Sequence, residues 1–254
     1  MRSSYLQSFL RRVLALCAAL ALGGLSPRLE ASNDDAIAQL NLSRFVLPAY
    51  PAALRQTGVA QGNVIVALET RRTAAGPAGE FLILSATDPQ FGDSVARAIA
   101  GWRFAEPKAS PPGERAAGGP TIVRFQFVAT GVVTLSVPDF QARRTAALHA
   151  EAGGNTVVLP TFADLDQSPA ILAQPMPAYP AALRSKPVPG TAAVRFFVDA
   201  EGRVRLPSVT SSTTPEFAEA ALSVLGQWRF APPTLSGKPV IAIGTWTFNF
   251  GPAS

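Results

Sequence analysis

An octet written twice constrains this chain more than any other feature. Pro48-Ala49-Tyr50-Pro51-Ala52-Ala53-Leu54-Arg55 returns letter for letter as Pro177-Ala178-Tyr179-Pro180-Ala181-Ala182-Leu183-Arg184, 129 residues on. A second landmark recurs in the same order, Gly101-Trp102-Arg103-Phe104-Ala105 and then Gln227-Trp228-Arg229-Phe230-Ala231, 126 residues apart. A period above one hundred residues is too long for a solenoid, whose units run to about 20–50 residues. Each copy therefore needs a core of its own, and the 254 residues are expected to form two small domains.

The N-terminal stretch belongs to neither copy. Arg2, Arg11 and Arg12 precede an apolar run from Val13 to Leu25, and Leu29-Glu30-Ala31 offers a cleavage point before Ser32, which is the grammar of a secretory signal peptide over residues 1–31. An uncleaved membrane anchor is the alternative, but the run holds 13 residues where a spanning helix needs about 20. Cleavage would remove Arg2, Arg11, Arg12, Arg28 and Glu30, lowering the formal charge from +5 to +2. The remaining pairs Arg71-Arg72 and Arg143-Arg144 are isolated, so no basic face is left for nucleic acid. The one cysteine, Cys17, leaves with the signal, and disulfides, thiolate metal sites and cysteine nucleophiles leave with it.

Each octet starts a helix at its second proline, where a missing N–H costs nothing. Gly58 stops the first helix, whereas Lys186-Pro187-Val188-Pro189 stops the second earlier. Ile37, Leu40 and Leu42 before the first octet form a brief helix or a tether. After Gly62 and Gly190 the period changes to two, with Val64, Val66 and Leu68, or Ala192, Val194, Phe196 and Val198, on one face of a strand. Asp199-Ala200-Glu201-Gly202 makes a tight hairpin; residues 71–79 make a longer one in the first copy. Asp88-Pro89 and Thr214-Pro215 then open helices whose stripes Phe91, Val95, Ile99 and Phe217, Ala221, Leu225 lead to Trp102 and Trp228. Each copy closes with a strand, in which Phe125 and Phe127 correspond to Phe248 and Phe250, and whose other face reads as polar: Arg124 and Gln126, or Thr245, Thr247 and Asn249. Trp246 is read as a core residue of the last strand. Between the copies, Val133, Leu135 and Val137 alternate and Thr156-Val157-Val158-Leu159 reads as a strand, so the segment 131–163 is expected to pack rather than to act as a flexible linker. A short helix between Phe140 and Leu148 is a further expectation.

Octet, hairpin, helix and Trp-Arg-Phe in that order resemble the C-terminal domain of TonB, the energy-transducing protein of Gram-negative envelopes. Tyr50-Pro51, Arg55, Gly62 and Trp102-Arg103-Phe104 carry the resemblance in the first copy. Tyr179-Pro180, Arg184, Gly190, Asp199, Gly202, Trp228-Arg229-Phe230 and Pro232 carry it in the second. It implies an α+β chain of two tandem small domains, 32–130 and 164–254, each a three-stranded antiparallel sheet with two helices on one face. It also implies a periplasmic, non-enzymatic protein without cofactor or metal. Its partner would be a segment of an outer-membrane receptor or another envelope protein, added to the last strand. The chain departs from the family in having no long proline-rich spacer, and a membrane-anchored transducer follows only if the N-terminus is retained.

The partner-binding candidates are Tyr50, Arg55, Tyr179, Arg184, Thr245, Thr247 and Asn249. Against ligand contact stands a packing role for each Tyr and a helix-dipole role for each Arg. The competing class is a hydrolase-like envelope enzyme built on the one histidine, His149, which has no duplicated carboxylate or serine partner.

Overall fold

The computed structural model describes residues 36–70, 76–77, 79–105, 119–130, 133–136, 149–150 and 157–251. The signal peptide expected over 1–31, most of the first hairpin loop and the helix expected between Phe140 and Leu148 fall outside them. The first copy contains α1 (36–40), β1 (Leu42–Arg44), α2 (Ala52–Gln56), β2 (Gln61–Leu68), β3 (Gly76–Pro77), β4 (Phe81–Ala86), α3 (Pro89–Ala100), β5 (Arg103–Phe104) and β6 (Thr121–Val128). Between the copies lie β7 (Val133–Ser136), β8 (His149–Ala150) and β9 (Val157–Val158). The second copy contains β10 (Ile171–Ala173), a 3-10 turn (Ala181–Leu183), β11 (Gly190–Val198), β12 (Val204–Ser212), α4 (Pro215–Leu225), β13 (Arg229–Phe230), β14 (Thr234–Leu235), β15 (Lys238–Pro239) and β16 (Ala242–Phe250). The chain is a mixed α+β protein of antiparallel sheets with few helices.

Both long helices begin as their caps dictate. The Asp88 carboxylate accepts from the Gln90 N–H at 2.8 Å and the Thr214 hydroxyl from the Phe217 N–H at 3.5 Å, each with proline at the first helical position. Their apolar stripes then lie on the sheets: Phe91, Val95 and Ile99 against Val64, Val66, Phe125 and Phe127, and Phe217, Ala221 and Leu225 against Val194, Phe196, Phe248 and Phe250. Gly62 and Gly190 are required by this packing, because a Cβ at either would fall on the ring of Phe91 or Phe217. Gly202 closes the second hairpin at φ +80°, with the Phe230 carbonyl where a side chain would stand.

The central sheets have the strand orders β12-β11-β16 and β4-β2-β6-β7. Two expectations need correction here. The first sheet has four strands, because β7 from between the copies pairs with β6. The octet forms an α-helix in the first copy but a single 3-10 turn in the second, where Pro187 and Pro189 follow too soon for a further turn.

A third correction concerns the central strands, read from sequence as buried on one face only, since residues 64–68 and 196–198 are buried throughout. The polar face of the last strands holds, with Gln126, Thr245, Thr247 and Asn249 exposed. Ile65, Ala67, Leu82 and Ile122 of the first sheet meet Phe197, Leu206 and Ile243 of the second, together with Leu159, in one buried cluster. The sheets therefore stack back to back, with α3 outside one and α4 outside the other. At the rim Arg205 pairs with Glu80, donates to the Phe81 carbonyl at 3.1 Å and lies 3.4 Å from Asp199. Large apolar side chains contribute about 1.5–3 kcal/mol each on burial, against about 0–1 kcal/mol for an exposed ion pair, so the apolar layer dominates the association of the sheets. Leu206 reaches that layer from a left-handed backbone, φ +48°, where the β11–β12 register slips between Arg195 and Phe197.

Candidate functional site

The tyrosines of the two octets act first as clips. Tyr50 is buried, with its ring edge-on to Phe91 at 5.4 Å and Phe127 at 6.3 Å, and its hydroxyl donates to the Val59 carbonyl. Tyr179 is half-buried and stands 5.6 Å from Phe217, and its hydroxyl donates to the Val188 carbonyl while accepting from the Val188 N–H, both at 2.9 Å. Each hydroxyl thus ties the segment entering the central strand back to the octet. Arg55 closes α2 with its guanidinium 5.5 Å from the Tyr50 ring centroid, a cation–π geometry. Arg184 is exposed at the end of the 3-10 turn. Trp102 and Trp228 are fully buried, and their indole N–H groups donate to the carbonyls of Val46 at 2.8 Å and Pro175 at 3.0 Å. The same bond thus holds the lead-in of each octet.

The second sheet ends at β16, which pairs with β11 without a register break from Gly190↔Phe250 to Val198↔Ala242. The first residues of its outer side are taken: the Ile243 N–H donates to the Pro160 carbonyl at 2.8 Å, and Thr161 bridges to Ile243. In an antiparallel ladder successive residues aim their N–H and C=O to opposite sides. Because Ile243 faces outward, Thr245, Thr247 and Asn249 face outward as well. No strand among the described residues meets their backbone groups, and their side chains are exposed. These are the three edge residues named from sequence, now joined on one line.

Trp246 departs from the sequence reading. It packs edge-on against Trp228 at 5.2 Å but stays 36% exposed at the rim of the core. In the first copy its counterpart Val123 is fully buried, and the edge of β6 is covered by β7 through Arg124↔Ser136, Phe125↔Leu135, Gln126↔Thr134 and Phe127↔Val133. The alternation of Val133 and Leu135 was the signal for a strand; nothing local to it indicates which edge it joins.

Electrostatics at the edge are sparse, since β16 carries no charged residue. Across the ladder, Arg195 of β11 stands opposite Thr245. At the far hairpin, burial pushes the Asp199 carboxyl up, but the backbone N–H and guanidinium of Arg203 outweigh it and hold the group below the usual carboxylate range. His149 pairs with Val158 across β8 and β9. Among the described residues no group of three or more His, Cys, Asp or Glu is placed to hold a metal ion, and no helix is long and apolar enough to cross a membrane.

The second copy is thus an antiparallel sheet, backed by one helix and open along its last strand. Residues 175–252 match the family described as the Gram-negative bacterial TonB protein C-terminal, a span that holds Tyr179, Arg184, Thr245, Thr247 and Asn249. Over 77 residues, 30% of this chain, the sequence is 32% identical to protein TonB of Vibrio cholerae serotype O1. The chain spans about a third of that relative's length, 32%. Among solved structures it is similar to the C-terminal domain of Pseudomonas aeruginosa TonB, with 26% identity, 35% of this chain and 91% of that one covered, and a TM-score of 0.31. It is also similar to the TonB2 protein of Vibrio anguillarum, with 22% identity, 43% and 95% covered, and a TM-score of 0.28.

Proposed function

We propose that the chain consists of two tandem TonB C-terminal-like domains, 32–130 and 164–254, joined by an ordered segment. In this reading it is a non-enzymatic periplasmic protein, exported by residues 1–31, that binds an extended segment of an outer-membrane receptor or another envelope protein. The observation that carries the reading is the open edge of β16, where Thr245, Thr247 and Asn249 turn unpaired backbone groups outward within the part of the chain that matches the TonB C-terminal family. An unpaired edge is a template for an added strand, and main-chain hydrogen bonds then supply affinity while alternate side chains supply selection. Thr245, Thr247 and Asn249 are the selecting residues, with Tyr179 and Arg184 on the open copy as further contacts. Tyr50 and Arg55 serve packing in the first copy, where the edge is covered.

Proline at Thr247 removes one outward N–H without touching the buried rings of Phe248 and Phe250. Synthetic peptides from the periplasmic segments of outer-membrane receptors, titrated calorimetrically into wild type and Thr247→Pro, test the reading. Binding to wild type and its loss in a variant that keeps its melting temperature is the expected result. Undiminished binding to the folded variant would sink it.

A further inference from the structure

One residue of the second copy holds a backbone that its own sequence disfavours. Leu206 is left-handed, φ +48°, although it carries a side chain and precedes Pro207. A proline steers the residue before it toward extended backbone, and a Cβ makes the left-handed region costly. Such strain persists where the surroundings over-determine it. The ends of the β11–β12 hairpin set how many residues β12 must fit in, but not where the extra one stands. Asp199 fixes the turn end, accepting from the N–H groups of Glu201 at 3.1 Å and Arg203 at 2.9 Å, and Ala193↔Ser211 fixes the other. The first copy has no slip at the matching place. Its ladder runs in register from Val66↔Ile83 to Leu68↔Phe81 and on to the bond from the Glu69 N–H to the Glu80 carbonyl at 2.9 Å.

What holds Leu206 comes from the first copy. The Glu80 carboxylate accepts from the Leu206 N–H at 3.4 Å and pairs with the Arg205 guanidinium, which also donates to the Phe81 carbonyl at 3.1 Å. The Leu206 side chain is buried in the layer shared with Ile65, Leu82 and Ile122. Apolar burial is non-directional, so the layer keeps the sheets together without fixing one backbone angle. The carboxylate supplies the direction. We propose that Glu80 is a lock on the β12 bulge: the first copy, seated on the second, pins the extra residue at Leu206 and so sets the form of the second sheet. Released, Leu206 returns to the extended backbone that Pro207 favours. A bulge sharpens the twist of its strand pair, and Arg195, where the slip begins, stands opposite Ser208 on one side and Thr245 on the other. The first copy thereby acts through β11 on the candidate edge. The lock itself is independent of strand addition; its bearing on binding rests on that reading.

The test uses the isotope-labelled full chain as wild type, Glu80→Ala and Glu80→Gln, read by nuclear magnetic resonance. Glu80 is exposed, and circular dichroism checks that each variant keeps its fold. In wild type a strong contact between the Leu206 amide and α protons marks the left-handed backbone. Glu80→Ala should lose that mark and exchange the Leu206 amide about tenfold faster, as for one hydrogen bond to a charged group. Glu80→Gln keeps an acceptor at the same reach and should recover most of both. The Thr245 amide signal should shift in Glu80→Ala and return in Glu80→Gln. A folded Glu80→Ala chain with Leu206 still left-handed and equally protected would overturn the lock and assign the bulge to the hairpin itself. Equal release in both variants would overturn it too, leaving an ion pair without a directed acceptor. Release at Leu206 with Thr245 unmoved would overturn its reach to the edge. Receptor peptides that fail to bind while the Leu206 signals behave as expected would sink strand addition and leave the lock standing.

Discussion

Replacing Trp228 with alanine is the sharpest perturbation of the second copy. The indole is fully buried, with Trp246, Phe248, Phe230 and Phe196 at centroid distances of 5.2, 5.5, 6.1 and 6.3 Å. Its N–H also holds Pro175 at 3.0 Å. Truncating so large a buried ring costs about 3–5 kcal/mol. With a urea slope of about 2 kcal/mol/M, the midpoint should fall by about 2 M in equilibrium unfolding followed by circular dichroism. Trp228→Phe keeps most of the packing and loses the hydrogen bond, so its cost should be nearer about 1–2 kcal/mol. The layer shared by Phe197, Ile243, Ile65 and Ile122 further predicts that both copies lose structure in one transition, since unfolding the second sheet strips cover from the first. An unchanged midpoint would refute the core assignment, and two separate transitions would refute the shared layer.

Phe197→Ala should cost about 3–5 kcal/mol although Phe197 faces no helix, and a change within about 0.5 kcal/mol, normal for a surface position, would show that its face is solvated. Asp199 titrates below the usual carboxylate range when folded, so it contributes stability above its unfolded value of about 3.9 that is lost as pH falls through the folded value. Melting temperature measured from pH 7 down to pH 2.5 should therefore fall more steeply for wild type than for Asp199→Asn, and parallel curves would contradict the Arg203 pairing.

The fold was legible in the sequence wherever a local cause sufficed. Asp88 and Thr214 cap helices, Gly202 turns a hairpin and the stripes ending at Trp102 and Trp228 are buried, all from spacing and residue type alone. The octets show the limit of such reading, since identical letters give α2 in one copy and a 3-10 turn in the other through the prolines that follow. What escaped depends on partners distant in sequence. Ile65 and Phe197 made both faces of their strands apolar, but the same pattern fits any doubly covered strand and does not say that the two sheets cover each other. Val133 and Leu135 announced a strand without announcing its edge, and Trp246 joined the phase of Phe248 and Phe250 while lying where no fourth strand among the described residues covers it. At the candidate site, the exposure of Thr245, Thr247 and Asn249 followed from alternation. The direction of their backbone groups required the bond from Ile243 to Pro160.

The central claim is that the outer edge of β16 pairs with an added strand, and amide hydrogen exchange of the full chain measures that edge residue by residue. With a receptor-derived peptide bound, the amides of Thr245, Thr247 and Asn249 should become protected while those of Trp246 and Phe248, already paired with β11, change little. The β6 amides under β7 should also stay as they were. Binding that leaves Thr245, Thr247 and Asn249 exchanging at their free rates would contradict the account.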